Sequence, residues 1–187
     1  MSWPDDPAAA AAERAAALTI VLRPGEPGAP VAAADVAQVL REHGEPGPIE
    51  LTGADIAQMR AVARELREVF AAPDTAAAAR QLNRLLSGAA GPPRLSDHDG
   101  TAWHIHIDQG DQASWAQWLA TSSAMALAAL LAGRQARPGG LCAAENCQRP
   151  FVDLGKGAPR RYCSPRCGSR TRVSAFRRSR RPGSGAA

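Results

Sequence analysis

Apolar side chains recur at helical spacing through most of the first 137 residues. The plainest case is Ile56, Met59, Ala63, Leu66 and Phe70, three or four residues apart, which predicts one buried stripe on a helix over 52–70. Thr52, with Asp55 three residues on, has the pattern of a capping box at its start. A shorter helix is expected over 31–43, after a loop marked by Pro24, Gly25, Pro27, Gly28 and Pro30. His43 is expected at its end, against the terminal carbonyls. Another helix should start at Pro73 and Asp74, turn Leu82, Leu85 and Leu86 inward and end at Gly88. The alanine-rich residues 1–15 read as a frayed end with a helix running through Ala17, and the apolar run 18–22 as strand or helix end. Over 102–108 the period changes to two: Trp103, Ile105 and Ile107 alternate with His104 and His106, which predicts a strand. Asp111 then opens an uncharged helix whose core face is Trp115, Trp118, Leu119, Met125, Ala126 and Leu130.

These elements define an α+β protein: a mostly helical N-terminal domain with a few short strands over residues 1–137, a linker at 138–140 (Pro138, Gly139, Gly140), a small C-terminal module over 141–181 and a disordered tail at 182–187. The uncharged stretch 112–133 approaches membrane-spanning length, but Gln112, Ser114, Gln117, Thr121, Ser122 and Ser123 interrupt it. It reads as a buried helix. No secretory signal is visible, since Asp5, Asp6, Glu13 and Arg14 break up the start, and a cytoplasmic protein is expected.

Charge separates the two parts. The chain carries 22 Lys and Arg against 18 Asp and Glu, a net of +4. Residues 1–141 hold 11 basic and 16 acidic side chains, whereas 142–187 hold 11 and 2. An acidic body with a basic end fits a regulatory domain joined to a polyanion-binding module.

The chemistry of that module lies in its cysteines. All 4 in the chain, Cys142, Cys147, Cys163 and Cys167, fall within 26 residues as C-x4-C and C-x3-C pairs separated by 15 residues. Each close pair supplies two ligands from one turn, which suits tetrahedral zinc. Four thiolates fill every position, so one structural Zn(2+) per chain is expected and zinc catalysis is not. Residues 151–153 and 160–162 are expected to pair as a hairpin around a Gly- and Pro-rich loop. Ser164 caps a helix that begins at Pro165, with Cys167 in its first turn. Knuckle, hairpin and helix together describe a treble-clef-like zinc finger. Nucleases built on that plan use histidine, and 142–187 contain none.

At 100° per residue, Arg166, Arg170, Arg177 and Arg181 form a stripe on that helix, with Val173 inside it. Arg172, Arg178 and Arg180 widen the basic surface, and Arg160 and Arg161 approach from the hairpin. Acids there are limited to Glu145 and Asp153. Arginine's planar fork suits phosphates and guanine edges, so duplex DNA is the expected partner. Phe151, Tyr162 and Phe176 are too few for a base-stacking platform and are expected in the module's small core.

From Leu141 and Cys142, through Cys147, Gln148, Arg149, Pro150, Phe151, Val152 and Asp153, to the run from Arg160 to Arg170, this end resembles the CGNR zinc finger. The resemblance implies bacterial DNA binding and transcription regulation, the four cysteines as zinc ligands, and Arg170 as the family's terminal arginine. The name-giving asparagine is Ser169 here, and Leu154 and Gly155 replace the usual Thr-Ser. The leucine-rich helices, the run Trp103 to His106 and the uncharged helix with Trp115 and Met125 to Leu127 resemble the ABATE domain. That likeness implies a stress-induced regulator.

In a strand, His104 and His106 would lie on one face about 7 Å apart, where they could meet an anionic ligand, a second metal or a proton. With no third ligand at suitable spacing, a polar sheet face is the simpler expectation. Taken together, the sequence reads as a zinc-finger transcription regulator with an N-terminal sensing or dimerisation domain, homodimeric through residues 1–137, and not an enzyme. The alternative is a zinc-dependent RNA-binding or ribosome-associated factor. A zinc hydrolase using His104, His106 and an acid, with a metal beyond the cysteine site, is a third class.

Overall fold

The computed structural model describes residues 7–23, 26, 28–97, 103–107, 113–155 and 157–180. Helices α1 (Pro7–Val21), α2 (Ala33–Glu42), α3 (Gly53–Ala71) and α4 (Thr75–Ala89) precede a two-stranded ribbon, β1 (Arg94–Ser96) and β2 (His104–His106). Then come α5 (Trp115–Arg134), strands β3 (Gly139–Leu141) and β4 (Pro150–Val152), and α6 (Pro165–Ser179). Helix α5 is the centre of the body, packed on α1, α3 and α4, while α1 also covers α2.

Local signals set the helix starts. Thr52 and Asp55 form the expected capping box, Asp74 caps α4, and Ser114 with Gln117 forms a second box at α5. Asp111, expected to open α5, lies outside the described residues. The α3 stripe is buried as its spacing requires, with Met59, Ala63 and Leu66 fully enclosed. Each large apolar side chain so enclosed stabilises the body by about 1.5–3 kcal/mol. Helix α5 alone among the described helices is long and apolar enough to cross a membrane. Here its buried face is Leu119, Ala120, Ala124, Ala126, Leu127 and Leu130, with Trp115, Trp118 and Met125 only half-buried. Thr121 and Thr19 stay buried because their hydroxyls donate to Gln117 and Ala15 carbonyls one turn back, at 2.9 and 2.8 Å.

Several sequence expectations are corrected. From Pro7 the alanine-rich start is not frayed: Ala12, Ala15 and Ala16 are buried, their small size letting α1 pack closely in the core; of the two readings of 18–22, helix end holds, since α1 runs to Val21. Gly88 does not end α4, which runs to Ala89. The expected strand does form, at β2, with Trp103 and Ile105 68% and 53% exposed and Ile107 buried. Arg60, which carries no motif in the sequence, anchors the loop before α2 by donating to the carbonyls of Arg23, Glu26 and Ala29.

The largest departure concerns residues 138–140. They are no linker. Gly139 to Leu141 pair antiparallel with Val152 to Pro150, and Asp153 N–H extends the ladder to the Pro138 carbonyl at 3.0 Å. The expected partner of 151–153, residues 160–162, forms no strand with it: the Arg161 carbonyl accepts the Ala143 amide, and contact with β4 is through the buried Asp153 carboxylate, which accepts the Gly155 and Arg160 amides at 3.1 and 3.0 Å. The β3–β4 hairpin also belongs to the body. Val152 lies in the main core with α1 and α3 residues, and Leu141 packs against it. Arg67 donates to the carbonyl and side-chain oxygens of Gln148 at 3.1 and 3.2 Å, and Arg137 to the Ala72 carbonyl at 2.9 Å. Arg134 reaches the Gly155 carbonyl.

Candidate metal centre and nucleic-acid interface

Two pieces of backbone bring the cysteines together. Leaving β3, Cys142 N–H donates to the Arg149 carbonyl at 2.9 Å and Cys147 N–H to the Ala144 carbonyl at 3.0 Å, closing a knuckle. Gln148, at φ 50°, turns the chain back into β4. The second pair sits at the start of α6, where the Ser164 hydroxyl accepts the Cys167 amide at 3.3 Å. Ala143 N–H donates to the Arg161 carbonyl at 2.8 Å and locks the two pieces to each other. Gly168 leaves room for the Tyr162 ring, since a β-carbon there would sit 3.2 Å from it.

The four Sγ atoms all lie within 4.8 Å of one another. Three of the separations, Cys147–Cys163, Cys163–Cys167 and Cys167–Cys147, are 3.7, 3.7 and 3.8 Å. A tetrahedron of zinc–sulfur bonds of about 2.3 Å has edges of about 3.8 Å. The cluster therefore fits one structural zinc ion, held by Cys142, Cys147, Cys163 and Cys167.

Crowding splits the ionisation of these thiols. Burial pushes Cys142 up, but the Cys163 and Ala144 amides and the neighbouring thiols outweigh it and bring Cys142 down to about 7. Burial and the neighbouring sulfurs push Cys163 up to about 12. A cation supplies the missing stabilisation for all four thiolates at once. Arg170 contributes too, donating to Cys167 Sγ at 3.5 Å.

The basic residues divide into engaged and open ones. Arg160 donates to the Cys163 carbonyl at 3.1 Å and stacks 5.3 Å from the Phe151 ring centre, so it braces the second cysteine pair. Arg161 stacks on Tyr162, and Arg180 on Phe176. Arg172 donates to Ser169, and Arg178 pairs with Glu145 at 3.3 Å. Arg166 and Arg177 are exposed, with no hydrogen bond or ion pair among the described residues. Arg181 lies outside them. On α6 only Cys167 and Gly168 are buried, and Val173 and Phe176 stand 49% and 57% exposed. Of the three aromatics, Tyr162 packs into the module's small core with the cysteines and Ala144, Phe151 is buried outside that cluster, and Phe176 is exposed. Arg149 was absent from the sequence-derived set of DNA contacts. It is exposed beside the cysteine cluster, and its position after Cys147 was the available signal.

His104 and His106 are placed apart from this centre, on β2, opposite Ser96 and Arg94 respectively. Among the described residues, the cysteine cluster is the one grouping suited to a metal ion.

Body and site together define a small helical protein that carries a closed, structural four-cysteine zinc finger. The chain belongs to the ABATE family, described as "Putative stress-induced transcription regulator", whose model matches residues 30–134. A CGNR zinc finger matches residues 140–181, spanning β3 to the end of α6 and all four cysteines. No curated protein matches the chain.

Proposed function

We propose that the protein is a transcription regulator that binds duplex DNA through α6. One observation carries the reading: beyond its first turn α6 is exposed, and its open face bears Arg166, Arg177 and Val173 beside the tethered Arg170. An arginine-rich helix raised on a rigid metal-tied base has the shape and charge to enter a major groove. Its arginines reach phosphates and guanine edges, and Val173 offers a methyl-sized contact to thymine. A single finger covers little DNA, so useful affinity calls for two copies joined through residues 1–137. Sensing has a place as well. A cavity of about 760 Å³ lies between the C-terminal end of α1, the start of α2 and the knuckle, with Ile20, Val31, Arg67 and Arg149 among its walls. A ligand there would touch body and finger together. Four cysteines leave the zinc no open position, so no hydrolytic role is proposed. A DNA-bound regulator of this kind works in the cytoplasm.

The test is fluorescence titration of the full chain against duplex DNA and a structured RNA over a range of salt. Tighter duplex binding, weakening steeply with salt, is expected. Preference for the RNA would favour the RNA-binding alternative instead.

A further inference from the structure

We propose that the cleft between the zinc knuckle and the first turn of α6 seats one DNA backbone phosphate, gripped by Arg149 from the knuckle and Arg166 from the helix. The proposal rests on the DNA reading above and names a contact that reading lacks. The cleft measures about 610 Å³, and Asn146, Arg149, Ser164, Arg166 and Arg170 line it alongside the ligand cysteines 147, 163 and 167.

Its two jaws are rigid for different reasons. Arg149 keeps its backbone fixed, because its carbonyl accepts the Cys142 amide and the preceding Gln148 is clamped by Arg67. Its side chain is left exposed. Arg166 stands in the first turn of α6, at the positive end of the helix dipole, which favours an anion. Between them, Arg170 is held in place by Cys167 Sγ. A guanidinium so tethered needs little further ordering to meet a phosphate oxygen.

These arginines are more than a counter-charge for the metal centre. Four thiolates and one zinc(II) ion sum to −2, against +3 from Arg149, Arg166 and Arg170. No carboxylate lines the cleft. Of the module's two acids, Glu145 is paired with Arg178, and Asp153 is buried on the Gly155 and Arg160 amides. An uncompensated positive cleft with forked donors on both sides matches a phosphate group. A second groove of about 570 Å³ runs on along α6 past Ser169, Val173 and Arg177 and shares Arg170 with the first. That continuity favours a phosphate within a polymer over a free ion.

The experiment uses the full zinc-loaded chain and its Arg149→Gln, Arg166→Gln and double variants, each first shown to hold one zinc. Arg149→Lys serves as the charge-conserving control. Anisotropy titrations with a selected and a random duplex are run between 50 and 200 mM salt. Each single variant is expected to weaken both duplexes by the same factor and to lower the salt slope by up to about 0.9. Over that fourfold salt range this is about a 3.5-fold smaller loss of affinity. The double variant should lose about 0.9 in all, because the two side chains share one phosphate, and Arg149→Lys should keep the wild-type slope. Wild-type slopes for Arg149→Gln, a doubled loss in the double variant, or a change confined to the selected duplex would overturn the clamp while leaving DNA binding intact. Saturable binding of inorganic phosphate at micromolar concentration would reassign the cleft to a free anion. If the wild type binds neither duplex, the DNA reading falls and the clamp with it.

Discussion

Substituting Gly139 should break the junction between body and zinc finger, whereas substituting its neighbour Gly140 should not. A β-carbon on Gly139 would sit 2.0 Å from the Phe151 carbonyl oxygen and 3.0 Å from the Phe151 carbonyl carbon and Val152 Cα. All three are backbone atoms, so β3 and β4 must part to make room. On Gly140 the nearest atoms are on the Phe151 ring, at 3.5 and 3.7 Å, which is ordinary contact. Parting the strands forfeits two or three ladder hydrogen bonds at about 1 kcal/mol each. It also exposes part of Val152, worth up to about 2 kcal/mol. Gly139→Ala should therefore cost about 3–5 kcal/mol, and Gly140→Ala less than about 1 kcal/mol. Thermal unfolding of the zinc-loaded protein should show a fall on the order of 10 °C for the first variant. Equal melting of Gly139→Ala and wild type, or equal damage from both substitutions, would refute this account of the hairpin.

The same junction bears on metal removal. Cys147→Ser, or a strong chelator, should abolish zinc binding and disorder the knuckle while circular dichroism still reports α1 to α5. The helices should then melt earlier, because β4 no longer docks on them. Arg14 is mostly enclosed, 3.1 Å from Glu45 and 4.5 Å from the Trp118 ring centre, and burial holds its pKa below the usual value. Arg14→Met should cost about 2 kcal/mol, between a surface and a buried pair, and adding Glu45→Gln should recover part of it in denaturant unfolding. The hydroxyl and amide of Thr52 hold the Asp55 carboxyl below its ordinary range. A depressed folded pKa gives stability that is present above the unfolded value and is lost as pH falls through the folded one. Asp55→Asn should thus destabilise at neutral pH and match wild type in strong acid, as checked by unfolding at both.

Helices were legible in the sequence where period and cap agreed, as at Thr52 and Ile56 to Phe70 or at Ser164 and Pro165. The zinc ligands were legible because tetrahedral coordination demands close cysteine pairs. The junction was not. Gly139 and Gly140 read as a flexible linker, although Gly139 is glycine because a strand crosses almost on top of it. Nothing local separates those two uses of glycine. Likewise, helical spacing placed the arginines on a stripe, but it does not say which are occupied: Arg160 and Arg170 turn back on cysteines three residues away, and Arg178 meets Glu145 across the fold. On β2, alternation fixes only which residues share a face, and the ribbon's position in the fold decides which face is covered.

The central claim is that the open face of α6 binds DNA. The most direct measurement compares the wild type with an Arg166→Ala/Arg177→Ala variant on duplex DNA at low salt, with zinc content confirmed in both. Arg170 is left in place because it serves Cys167. The account predicts a bound wild type and a variant weakened at least tenfold with a shallower salt slope. Equal affinities would contradict it and leave α6 to a protein partner or to solvent.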